Sequence, residues 1–337
     1  MSATPLTLAQ AVDLTDVAIQ DIYLKESKLE KKSVYDKYFN VVSGVTDYYL
    51  KDSSLSGLGE AARITENAVV TAEVPIQGYD KTYTQVEYGK MLPVTKRMWK
   101  FGLKKRDLTR VVKSLISACE RHREILCADR LDNSYSTSYT VSDESGNYTA
   151  TISGGDGVAA ISNAHTREDG GTDWNNRVTD GTTVNMDMDY DALKALARTG
   201  SLVRDPKGNL MDINYDTILV RSKSATHFRA KEIQRTIRVP GRATMPGTAD
   251  NDASAIDDFE ILPIPWITTN TAYWWGIDTA MKGDEYGLQY KESQPIMLEG
   301  PNVVFKTGEI QYKATNMFDI GFNDARCMAG SKNTNSA

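Results

Sequence analysis

Val74–Trp99 reads VPIQGYDKTYTQVEYGKMLPVTKRMW, rich in the Thr, Tyr and Val that favour extended backbone. Turn formers at Gln77-Gly78-Tyr79-Asp80-Lys81 lie inside it, so the spacing predicts a long two-stranded ribbon folded about those residues. Charge falls on both faces of the arms, and neither face is continuously apolar. Asp107–Ser134 follows as DLTRVVKSLISACERHREILCADRLDNS. Its Leu108, Val111, Val112, Leu115, Cys119, Ile125 and Leu126 recur close to every 3.6 residues, and Asp107 is placed to cap the start. A helix over 107–134 spans roughly 40 Å, long enough to serve as a spine. Ribbon edges left unpaired are a hazard for a monomer and a contact surface for an assembly.

Upstream, residues 1–58 combine a short helix expected over Val12–Leu24, the Lys- and Glu-rich KESKLEKKS and the Gly/Ser-rich KDSSLSGLG. That is an arm, with too few apolar residues for a core. Downstream, residues 135–188 are polar, with turns expected at Glu144–Asn147 and Gly154–Gly157. A helix is expected from Asp189 to Gly200, starting on acids and stopping at glycine. Thr217–Val220 reads as a buried strand running into a helix over Ser224–Arg235, capped by Ser222 or Ser224. Two strands, FEILPIPW and AYWWGID, follow the loop VPGRATMPGTADNDA, and alternating Phe318, Ile320 and Phe322 mark a last one. This order is α+β, not a doubly wound sheet.

A net charge of −6 argues against a protein devoted to gripping nucleic acid. No apolar run approaches the ~20 residues of a membrane span, and MSATPLTLAQAVDLTD lacks the pattern of a secretory signal. Cys119, Cys127 and Cys327 have neither metal-binding spacing nor a disulfide framework; they read as buried thiols in a reducing compartment. Of the three histidines, His122 sits near the apolar stripe of the long helix, His165 lacks a nucleophile beside it, and His227 opens a helix. No nucleophile elbow, phosphate loop or dinucleotide fingerprint occurs. Asp187, Asp189 and Asp191 match the first three ligands of a calcium loop, but its sixth and twelfth positions are Ala192 and Arg198. These acids read instead as a helix N-terminus. Tyr273, Trp274 and Trp275 read as packing rather than a stacking platform for sugars or bases. No catalytic residue, metal or cofactor is expected.

Four stretches in order carry a family resemblance. They are YTQVEYGKMLPVTKRMWKFGLKKRDLTRVVKSLISACERHREILCADRL, GDGVAAISNAHT, DYDALKALARTGSLVRDPKGNLMDINYDTILVRSKSATHFRAKEI, and VPGRATMPGTADNDAS with a closing FNDARCM. From about Ala62 to Met328 the chain resembles the major capsid proteins of tailed bacteriophages, whose fold encapsulins and the herpesvirus capsid floor share. The resemblance implies a division into an N-terminal arm (1–58), an extended β-hairpin loop (59–102) and a peripheral domain (103–188) with spine helix 107–134. An axial domain (189–298) and returning peripheral strands with a tail (299–337) complete it.

It further implies a non-enzymatic subunit of a virion capsid, assembled in the host bacterial cytoplasm into pentamers and hexamers around double-stranded DNA. Portal, scaffold or decoration proteins are the implied partners, with no membrane. Pro75, Gln77, Gly78, Tyr79, Asp80, Lys81 and Thr82 would form the loop tip lying on a neighbouring subunit. Arg242, Met245, Asp250 and Asn251 would lie in an axial-domain loop near the capsomer centre. Relatives that carry a fused internal scaffold have a longer leading segment, so no large N-terminal removal is expected. Two other readings stand beside this one: an encapsulin-like compartment with protein cargo, and a hydrolase using an unrecognised carboxylate pair.

Overall fold

Helical periodicity and strand alternation translate into two four-stranded sheets joined by one long helix. The computed structural model describes residues 33–55, 57–59, 61, 63–64, 69–70, 72–95, 105–144, 146–235, 259–283 and 286–334. The expected helix over Val12–Leu24 lies outside them, as do Arg242, Met245, Asp250 and Asn251.

The chain enters through α1 (Tyr35–Tyr38) and β1 (Asn40–Ser43), then β2 (Tyr49–Leu55), β3 (Gln77–Thr84) and β4 (Val86–Val94). The long helix α2 runs Lys105–Asp132. A hairpin of β5 (Ser138–Asp143) and β6 (Gly146–Thr151) follows, turning where Glu144–Asn147 was expected to turn. Next come α3 (Tyr190–Ser201), β7 (Thr217–Arg221), α4 (Ala225–Arg235), β8 (Glu260–Ile264) and β9 (Trp274–Ile277). The chain closes with β10 (Leu288–Val303), β11 (Ile310–Phe322) and β12 (Met328–Ser331).

The first sheet has the order β1-β10-β11-β4, with β1 parallel to β10 and the other pairs antiparallel. Its frame is the β10–β11 hairpin, paired from Leu288↔Phe322 to Val303↔Ile310 with three shifts of register between. Phe318, Ile320 and Phe322 are buried, as their alternation requires. The second sheet has the order β12-β9-β7-β8, and β7 is buried along TILV.

The helix α2 earns the name spine from what its two halves touch. Val112, Leu115, Ile116 and Cys119 pack with Ile310, Tyr312 and Ala314 of β11. Leu126, Cys127, Ala128 and Leu131 enter the main core with Trp274, Trp275, Tyr290 and Phe318. One helix therefore joins two apolar clusters, which requires its unusual length. Cys119, Cys127 and Cys327 are buried free thiols.

Asp189 caps α3, its carboxylate accepting from Ala192 N at 2.7 Å, the role expected of the acid run. Asp189→Ala is expected to cost about 1 kcal/mol of stability, read as a lowered urea midpoint with unchanged slope. Ser224 caps α4 by accepting from His227 N at 3.1 Å.

Four expectations need correction. The spine starts at Lys105 and ends at Asp132, so Asp107 lies inside the helix rather than capping it. Helix α3 continues through Gly200 to Ser201; the glycine is there because a Cβ would land on Ile213 O. The boundary expected at residue 298 falls inside β10, one continuous strand from Leu288 to Val303. Finally, the segment expected as returning strands (299–337) divides, with β11 in the first sheet and β12 paired with β9 in the second.

Candidate intersubunit surface

The expected ribbon exists with different partners. Gln77–Thr84, where a turn was expected, is strand β3, and it pairs antiparallel with β2, from Tyr49↔Thr84 to Leu55↔Gln77. β4 leaves that ribbon and pairs with β11. The hairpin thus begins at Tyr49, ahead of the expected residue 59, and residues 56–76 connect its strands.

Its root is anchored to the chain's own body. Tyr83 is fully buried. Lys81 Nζ donates to Ser153 O at 2.7 Å, and Thr84 N donates to Asp319 Oδ2 at 2.8 Å. Lys291 lies 3.6 Å from Asp52. Burial lowers the Lys81 pKa against the pull of Asp319, and burial raises that of Asp319. Tyr79 Oη lies 2.9 Å from Thr166 Oγ1. Gly78 needs no turn to explain it: a Cβ there would land on Ser54 Oγ of the paired strand.

The residues named as a free tip are therefore divided. Gly78, Tyr79 and Lys81 are half-buried at the root, whereas Pro75, Gln77, Asp80 and Thr82 are exposed. Asp80 is held below the usual carboxylate range by Lys51, 2.6 Å away, and by Ser53.

The apolar surface that finds no cover lies instead in the connection. Leu58, Ile64, Val69, Val70 and Val74 are all exposed, Val69 at 93%. Glu73 ties this stretch to the body by accepting from Lys207 Nζ at 2.6 Å, and within the stretch it accepts from Gly59 N at 2.8 Å. A second uncovered apolar feature is the β10–β11 hairpin tip, with Val303 exposed and Phe305 at 101%. The sequence did carry a signal for the first. LSGLGEAARITENAVVTAEV holds Leu58, Ile64, Val69, Val70 and Val74 at no single period throughout, alternating only over Val70-Ala72-Val74.

A groove of about 1,370 Å³ runs between the long helix, β4 and the β5–β6 hairpin. His122 lines it and packs against Tyr88 at 5.1 Å between centroids, with its pKa lowered by burial. Asp129 also lines it, its carboxyl pushed up to about 6 by burial and by Asp132. Asp132 is occupied, accepting from Thr269 N and Asn270 N at 3.0 and 2.8 Å. His165 is buried, its Nδ1 2.7 Å from Asp156 Oδ2 and its ring stacked on Trp174. His227 Nδ1 accepts from Lys223 N at 3.0 Å. Among the described residues no group of three His, Cys, Asp or Glu is arranged to hold a metal. Trp274 and Trp275 are fully buried, with their indole N–H groups on Met186 O and Ser134 Oγ.

No family model and no curated protein matches the sequence. Solved structures do. The capsid structure of the Cyanophage P-SCSP1u aligns at a TM-score of 0.50 and 9% identity, covering 90% of this chain and 88% of that one. A chain of Microbacterium phage Oxtober96 aligns at 0.49 and 10%, covering 97% and 99%. The capsid of the native GTA particle aligns at 0.48 and 11%, covering 89% and 90%. Across 90% of its length this chain therefore shares its fold with the capsid structure of the Cyanophage P-SCSP1u.

Proposed function

We propose that the chain is a structural subunit of an icosahedral virus shell, working by association rather than turnover. The observation that carries this is the exposure of Leu58, Ile64, Val69, Val70 and Val74 on a capsid-type fold. Burying one such side chain on a neighbour contributes roughly 1.5–3 kcal/mol, before the costs of ordering the partners. Several contacts per subunit, each modest, become strong together because every subunit is held on several sides. Heterologous contacts that close into five- and six-membered rings then build a closed shell. The β10–β11 tip with Phe305 is a second contact, and the exposed half of the ribbon (Pro75, Gln77, Asp80, Thr82) borders the first.

Double-stranded DNA is the content this reading assigns to the shell, held without sequence recognition, with portal, scaffold or decoration proteins as partners and the host cytoplasm as the place of assembly. Purified protein, with scaffold if one is required, is expected to form rings or closed shells of uniform curvature by negative-stain microscopy. A monodisperse monomer or dimer at high concentration would sink the proposal. Nuclease-protected DNA in particles from infected cells separates a virus shell from an encapsulin-like compartment, which would hold protein.

A further inference from the structure

Where the ribbon root meets the body, Ser54, Tyr79, Glu168, Asn323, Asp324 and Arg326 line a cavity of about 10 Å³. The wall is polar and deeply buried: Asn323 is 3% exposed and Arg326 1%. Most of its groups are already satisfied. Arg326 Nε donates to Arg204 O at 2.7 Å, and Arg326 Nη1 pairs with Asp324 Oδ2. Arg326 N donates to Asp324 Oδ1 at 2.9 Å. Asp156, which also lines the cavity, is engaged by Val158 N and by His165.

Four buried atoms remain without a hydrogen-bond partner among the described residues: Asn323 Oδ1, Asn323 Nδ2, Glu168 Oε2 and Arg326 Nη2. Glu168 Oε2 and Arg326 Nη2 are 3.5 Å apart, too long for a good hydrogen bond. Leaving such groups bare is costly, so native interiors supply a partner. Two of the four are donors and two are acceptors, which matches a molecule that donates two hydrogen bonds and accepts two. A cation is the wrong occupant, because two of the open atoms, Asn323 Nδ2 and Arg326 Nη2, are donors that would face it. An anion is excluded by Glu168 and Asp324. The volume admits about one water.

We infer that this cavity is a built hydration site beneath the ribbon root, in which one ordered water bonded to Asn323, Glu168 and Arg326 ties the loop at Glu168 to the turn ahead of β12, with Ser54 and Tyr79 of the ribbon covering it.

A map of the intact protein at a resolution that shows ordered solvent tests this directly. The expected result is one peak about 2.7–3.2 Å from the Asn323 amide and from Glu168 or Arg326. A cavity without a peak overturns the inference, as does a peak at the roughly 2.0–2.6 Å of a metal–oxygen contact. So does an Asn323 turned to pair with protein atoms. Asn323→Leu provides an independent readout: it removes two of the water's contacts, and the melting temperature is expected to fall by several degrees with loss of the peak. An unchanged or higher melting temperature overturns the inference; should the variant fail to fold, the wild-type map decides.

Discussion

Serine at Val69, Val70 and Val74 together is expected to abolish shell assembly while leaving the subunit folded. All three side chains are exposed in the connection between β2 and β3, so the subunit loses almost no buried surface. Substitutions at such positions usually change stability by less than ~0.5 kcal/mol. At a contact the arithmetic differs. Even at roughly 1.5 kcal/mol each, burial of three valines on a neighbour is worth about a thousandfold in association. A shell repeats that loss at every subunit. Circular dichroism and urea unfolding should match wild type, while sedimentation shows free subunits or rings in place of shells. Normal shells would show that the segment is not a contact. A variant that unfolds would place it in its own core. Tyr83→Ala, at the buried root of the same ribbon, should do the reverse and cost about 3–5 kcal/mol of subunit stability.

The largest effect on the fold is expected from Trp275→Ala. Trp275 is fully buried in β9, its ring meets Tyr273 edge-on at 6.3 Å, and Nε1 donates to Ser134 Oγ at 2.9 Å. The substitution opens a cavity at the junction of β9, β12 and the end of the long helix. Large aromatic truncations of this kind cost about 3–5 kcal/mol, and leaving Ser134 unpaired adds to that. Such a loss is a large part of a domain's total stability. Urea unfolding of the unassembled subunit should show the midpoint fall sharply, and a shift below about 1 kcal/mol would contradict the packing described here. Trp274→Ala tests the neighbouring position, where Nε1 donates to Met186 O at 3.2 Å.

Reading the sequence succeeded where structure follows from neighbours in the chain. The apolar period of Leu108–Leu126 announces the long helix because side chains every 3.6 residues share a face. Asp189 and Ser224 announce α3 and α4 because a cap bonds to an amide three residues on. Thr217–Val220 and Trp274–Ile277 read as buried strands and are.

It failed at the ribbon for a definite reason. Gln77-Gly78-Tyr79-Asp80-Lys81 has the chemistry of a turn, yet the contacts that set its conformation are all distant. Lys81 bonds to Ser153, 72 positions away, and Thr84 to Asp319, 235 positions away. Gly78 is demanded by the closeness of Ser54 on the opposite strand, not by a reversal of the chain. The same holds for the C-terminus, where residues 299–337 read as returning strands and the pairing of β12 with β9 is set by residues about fifty positions apart.

The expected coreless arm gives way, from Tyr35 on, to a core entry at Tyr35, Tyr38 and Phe39 and to β1 on β10. What the sequence determined by itself is therefore the set of elements and their class: extended segments, one long helix, and capped shorter helices between buried strands. These are short-range properties, written in periodicity and capping. Only the tertiary structure decided which strands pair, and so which part of the ribbon is root and which is free surface. Strand pairing is a contest among distant partners, settled by where Tyr83, Lys81 and Asp319 can be buried and bonded together. Local propensity cannot see that contest, since a glycine that permits a turn equally permits a close approach.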